Sequence, residues 1–138
     1  MGNTKPIGVA YEDQDIIGAD RIYSAGELGY TAAAQGTVTQ ATDKSTAVTL
    51  NKGAGQITMN GAALAGNTAV SFTLNNTFIS SNDLILLNIS AGAVADPVAY
   101  TVYVSSMTAG SVVITLRNLT ATSRSEALVL NFAAIHCL

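Results

Sequence analysis

Charge is what this chain has least of. Only 11% of its 138 residues are Asp, Glu, Lys or Arg, against 49% hydrophobic, where a typical globular domain carries about 25% charged residues. The six basic residues are scattered singly. Neutralising phosphates needs Lys and Arg in clusters, so neither nucleic acid nor an anionic membrane is expected as a partner. Tryptophan is absent and aromatics make up 6%, which leaves few ring platforms for a sugar. A single cysteine, Cys137, excludes an internal disulfide framework and does not fit a prenylation box. No apolar run approaches the roughly 18 residues of a transmembrane helix. The opening MGNTKPIGVAYEDQD lacks a cationic stretch leading into an apolar one, so synthesis and retention in the cytoplasm of the producing cell are expected.

The charge that is present is unevenly placed. Residues 1–30 hold five acids (Glu12, Asp13, Asp15, Asp20, Glu27) against two bases (Lys5, Arg21), a net of −3, while the four acids and four bases of residues 31–138 cancel. The leading segment shows no sustained period of 2 or 3.6, and Gly8, Gly18, Gly26 and Gly29 interrupt it. This predicts an extended arm over 1–34, with one strand or helical turn around 11–17, that reaches for a partner. A body so poor in charge also predicts an oligomer or a bound partner, because large neutral surfaces are a liability in a free monomer.

From Gly36 onward the texture is β. TVTQAT, AVTLN, QITMN, AVSFTLNN, LILLNIS, VAYTVYVSS, SVVITLRN and EALVLNFAAIHCL follow one another, separated by Gly, Asn, Asp and Ser at intervals near ten residues. Runs of that length, rich in Thr and Val, predict one all-β domain over 35–138, an antiparallel β-sandwich of jelly-roll type. In VAYTVYVSS one face is Tyr100, Val102 and Val104; in SVVITLRN it is Val112, Ile114 and Leu116. The closing run is apolar on both sides, with Leu128, Leu130, Phe132, Ala134 and Leu138 opposite Val129, Ala133 and Ile135. Such a strand belongs at the centre of a sheet or against another subunit.

Reactive constellations are faint. His136 and Cys137 are adjacent, so on a strand their side chains diverge. Asp13 and Asp15 resemble the start of a calcium loop, but Ile17 stands where a third oxygen ligand is required. NKGAGQ has glycines without the Lys-Ser/Thr of a phosphate cradle and reads as a turn. Asn75, Asn88 and Asn118 each open a glycosylation triplet, which matters only in a secreted chain. Asp43, Asp83, Asp96 and Glu126 stand singly in turns, with nothing in the sequence to pair them. No catalytic residue, metal site, cofactor or small-molecule substrate is expected, and the chain does not read as an enzyme.

The segments KPIGVAYEDQDIIGA, GTVTQATDKSTAVTLNK, ITMNGAALA, AVSFTLNN and SEALVLNFAAI together resemble a family of small virion proteins of tailed bacteriophages. Its characterised members are jelly-roll capsid cement, or decoration, proteins. The resemblance implies a homotrimer on the outer capsid surface that binds the major capsid protein lattice and stabilises the mature head. The alternative it leaves is a head-fibre or tail-appendage domain that recognises a host surface. On the capsid reading, Ile7, Val9, Tyr11, Ile16, Ile17, Ile22 and Tyr23 supply apolar anchors of the arm. Lys5, Glu12, Asp13, Asp15 and Asp20 supply its charged contacts. The trimer interface is expected to include Leu128, Val129, Leu130, Phe132 and Ile135 of the closing run.

Overall fold

A computed structural model describes residues 20–21, 23–92 and 95–137. Eight strands are present among them: β1 (Gln35–Thr39), β2 (Val48–Thr49), β3 (Ala54–Thr58), β4 (Ala69–Asn75), β5 (Leu84–Ala91), β6 (Tyr100–Thr108), β7 (Ser111–Asn118) and β8 (Val129–Ile135). They form two four-stranded sheets, ordered β1-β3-β8-β5 and β2-β4-β7-β6. Ala32–Ala34 make one 3-10 turn ahead of β1. The described chain is therefore an all-β sandwich.

The sheets are mixed, which corrects the expectation of purely antiparallel pairing. β1 pairs with β3, and β2 with β4, in parallel; the remaining ladders are antiparallel. Turn residues announce that the chain reverses, but they do not say which sheet receives the next strand. Here β1 to β5 alternate between the sheets. Two successive reversals restore the original direction, so strands two apart in sequence and adjacent in one sheet run parallel. A direct two-residue hairpin joins only β6 and β7 among the described strands, with Thr108 opposite Ser111. Its Gly110 has φ +83, the left-handed conformation that a side chain disfavours.

Alternation places the core. Ile57, Leu74, Ile114, Leu116 and Leu130 have no exposed surface, with Phe72 and Phe132 nearly as deep. Full burial of each such side chain contributes about 1.5–3 kcal/mol. Inward-facing Gly55 allows a close approach: a Cβ there would lie 2.9 Å from Leu50 Cδ2 and nearer still to the Gly36 carbonyl oxygen. β8 lies at the centre of its sheet, between β3 and β5, as its two apolar faces suggested.

Candidate functional site

The expected contact residues fall in three places. Asp20 and Tyr23 are described and exposed. Lys5, Ile7, Val9, Tyr11, Glu12, Asp13, Asp15, Ile16, Ile17 and Ile22 lie outside the described residues, as does Leu138. The leading segment meets the body at Tyr30. Its hydroxyl donates to the Ala134 carbonyl, its ring covers Gly53, and its own carbonyl accepts from Gln35 Nε2 at 2.8 Å. Leu28 and Tyr30 frame an apolar hollow with Leu86, Ala133 and Ile135.

Of the residues expected at a subunit interface, Leu128, Leu130 and Phe132 are committed to the protomer's own core. A side chain packed between the two sheets has no surface to offer another copy. Val129 and Ile135, on the opposite face of the strand, do point outward, and Ile135 is exposed.

The two outer faces differ in chemistry. On the β2-β4-β7-β6 sheet the hydroxyls are already joined: Ser71 to Thr115, and Thr115 to Ser105, each at 2.8 Å. On the β1-β3-β8-β5 sheet no outward residue of the four strands is charged. One end is apolar, with Leu84 opposite Ile135 and Leu86 opposite Ala133. Across the middle runs an amide row, Gln56 beside Asn131 beside Asn88. Asn131 Oδ1 is shielded from solvent and has no partner among the described residues.

Long-range polar contacts close the ends of the sandwich. Asp83, with its side chain fully enclosed, accepts from Ser80 N at 2.8 Å and Ser80 Oγ at 2.5 Å. It also accepts from Cys137 N at 3.3 Å and His136 Nδ1 at 2.8 Å. The Ser80 hydroxyl and amide, then Cys137 N–H and the His136 ring, hold its carboxyl down to about 2 against the burial that opposes them. Serine, aspartate and histidine meet here, but the serine hydroxyl is spent on the carboxylate rather than offered to the imidazole. The arrangement clasps His136 and Cys137, just after β8, and is not a nucleophile with its base.

Sequence reasoning missed a second cluster. Arg124 reaches Asp96 Oδ2 at 2.9 Å and Glu126 Oε1 at 3.0 Å, and Tyr100 OH donates to Glu126 Oε2 at 2.5 Å. That phenol lowers the Glu126 carboxyl, while burial followed by the Glu126 contact raises the Tyr100 hydroxyl well above its usual range. Lys44, buried beside them, donates Nζ to the carbonyls of Asn60 and Glu126. Burial pulls its ammonium down, partly offset by the Glu126 charge. Two carboxylates isolated in sequence thus share one guanidinium, which ties together the connections around 96, 100 and 124. Asn118 does similar work nearby: it is fully buried and its Nδ2 donates to the carbonyls of Leu64, Ala65 and Thr122.

Among the described residues, no group of three or more His, Cys, Asp or Glu stands close enough to hold a metal ion, and no helix is long and apolar enough to cross a membrane. Comparison of the chain with protein-family models, with curated proteins and with solved structures finds no match.

Proposed function

We propose that the chain is a capsid cement protein of a tailed bacteriophage, a homotrimer seated on the outer capsid surface, where it clamps neighbouring major capsid proteins and stabilises the mature head. The observation that carries this reading is the division of the molecule into a neutral β-sandwich and an acidic leading segment. Supporting it is the resemblance of five sequence segments to virion proteins of that class. Eight strands in two four-stranded sheets, with connections that cross between them, suit a jelly-roll-like relative. The two parallel edge pairs are a departure from that pattern.

The mechanism is mechanical. A protein that binds only the expanded lattice stabilises it through its own binding free energy, repeated at every site. Three leading segments tethered to one trimer act at high effective concentration, so modest affinity per segment becomes tight attachment. Apolar residues such as Ile16, Ile17 and Tyr23 anchor, and Asp13, Asp15 and Asp20 meet basic capsid groups.

Copy number in purified virions tests the reading. A cement protein is present in hundreds of copies distributed over the head, and a cryo-EM map places it at three-fold or quasi-three-fold positions. Copies in the tens, or density confined to a fibre or the tail, overturn it in favour of a host-recognition appendage.

A further inference from the structure

We infer that the outer face of the β1-β3-β8-β5 sheet is where copies of this chain bind one another, with Asn131 at the centre of the contact. This rests on the homo-oligomer part of the proposed function and specifies its surface.

Four observations select this face and this occupant. None of its outward strand residues is charged, so two copies of an acidic protein can approach here without bringing like charges together. A basic partner would find no acid on the face to meet. The amide row of Gln56, Asn131 and Asn88 carries donors and acceptors in equal measure, and amides can therefore pair with a second row of the same kind. In a single copy that row is incomplete: Asn131 Oδ1 has neither solvent nor a partner among the described residues. Re-pairing the row against another copy removes that deficit.

The third observation concerns the edge. Among the described residues β5 pairs only with β8. Its sequence LILLNIS has no charge and no proline, two of the devices that blunt an edge strand, the register shift between Ile89 and Ala91 being the one it carries. Leu84 is 53% exposed, Leu86 52%, and Ile135 beside them 48%. Such an edge left bare is a site of uncontrolled association, whereas coverage by a defined copy satisfies it.

The fourth is area. Four strands spaced about 4.8 Å apart and about 20 Å long present roughly 400 Å² of projected face per copy. Two such faces, with side chains interlocked, approach the ~1,000 Å² that separates stable interfaces from incidental contacts. The opposite sheet is no smaller but differs in chemistry: its Ser71, Thr115 and Ser105 hydroxyls bond one another, and Arg117 puts a charge on its outer face.

Multi-angle light scattering on the full-length chain at micromolar concentration tests the inference. The wild type is expected at a multiple of the protomer mass. Leu86→Asp and Asn131→Asp are expected at the protomer mass with an unchanged circular dichroism spectrum, the like charges weakening association at least about a hundredfold. Tyr103→Asp, on the other sheet's outer face, is expected to keep the wild-type mass. A monomeric wild type overturns the inference, and is the result if residues 1–19 of the same chain cover the face. Retention of the oligomer by Leu86→Asp also overturns it; this side chain is exposed in the single copy, so the variant decides the matter even if Asn131→Asp misfolds. An oligomer broken by Leu86→Asp but absent from capsids upholds this interface and sinks the cement reading.

Discussion

Asp83 and His136, 53 positions apart, meet at 2.8 Å between Oδ2 and Nδ1, and through that contact the end of β8 is fastened to the turn before β5. The carboxylate is enclosed, but its four donors, two from Ser80 of its own turn and one each from His136 and Cys137 after β8, leave it ionised.

Because the folded carboxyl of Asp83 titrates at about 2, below its ordinary value near 3.8, its contribution is complete above that ordinary value. It is lost as pH falls toward 2. Melting temperature should therefore decline between about pH 4 and pH 2, and Asp83→Asn should remove this part of the slope. Ser80→Ala is expected to remove more of it than His136→Asn, since the serine hydroxyl is the largest cause of the shift. Thermal scans across that pH range check the order; a larger effect from His136→Asn would reverse the assignment.

Tyr100 gives the opposite pH dependence. Its hydroxyl is raised by burial and by donation to Glu126, so the neutral form stabilises the fold below about pH 10 and the benefit is lost as pH rises further. Phenolate absorbance should show Tyr100 ionising only with unfolding. Tyr100→Phe should abolish the alkaline loss, bring the Glu126 carboxyl back toward its ordinary value, and cost about 1–2 kcal/mol at neutral pH.

These contacts mark the boundary of what could be read from the chain. Alternation and turn residues are local, and they located all eight strands, with SVVITLRN coinciding with β7. The sheet that each strand joins depends on crossings that local turn chemistry does not encode, which is why the parallel pairs were not foreseen. Asp96 looked solitary because Arg124 reaches it from 28 positions away, and Glu126 because its phenol partner Tyr100 stands 26 positions before it. Asn118 read as the start of a glycosylation triplet, yet its side chain is buried among carbonyls of another connection. Leu130 and Phe132 were assigned to a subunit contact because two apolar faces do not reveal which one the protomer keeps for itself.

Asn118→Ala should be among the most damaging single changes. It strips a donor from the carbonyls of Leu64, Ala65 and Thr122, which keep Arg124 N, Thr68 Oγ1 and Thr120 Oγ1 as second donors, and an acceptor from Thr120 N. These four lost hydrogen bonds cost about 0.5–1.5 kcal/mol each. A loss of about 3 kcal/mol or more in urea unfolding is expected. Asn118→Asp should fare little better, since an ionised carboxylate only accepts. A loss under about 1 kcal/mol would mean that water or a shifted loop replaces the amide.

Core and surface positions of β8 should separate cleanly. Leu130→Ala opens a cavity between the sheets and should cost about 2–5 kcal/mol, and Leu130→Asp should unfold the protomer outright. Ile135→Asp, half-exposed on the outer face, should leave the circular dichroism spectrum intact. If Leu130→Asp instead gave a folded monomer, the residue would belong to an interface after all.

The last prediction concerns the leading segment. Tyr30 holds it to the body through the Ala134 carbonyl and the surface of Gly53, so a truncation that tests attachment must stop short of it. Removal of residues 1–26 should preserve the melting temperature, whereas Tyr30→Ala should lower it modestly. If the segment binds capsids, the truncated protein should fail to co-sediment with expanded heads. Attachment of the intact protein should weaken between 0.1 M and 1 M salt, as the Debye length contracts from about 10 Å to about 3 Å. The loss should be partial, because apolar anchors such as Ile16 and Tyr23 are insensitive to screening. Replacing Glu12, Asp13, Asp15 and Asp20 by amides should slow association and flatten the salt response with no change in melting temperature. Unchanged rate and unchanged salt response in that variant would reduce the acidic cluster to a solvated face and remove charge from the account of attachment.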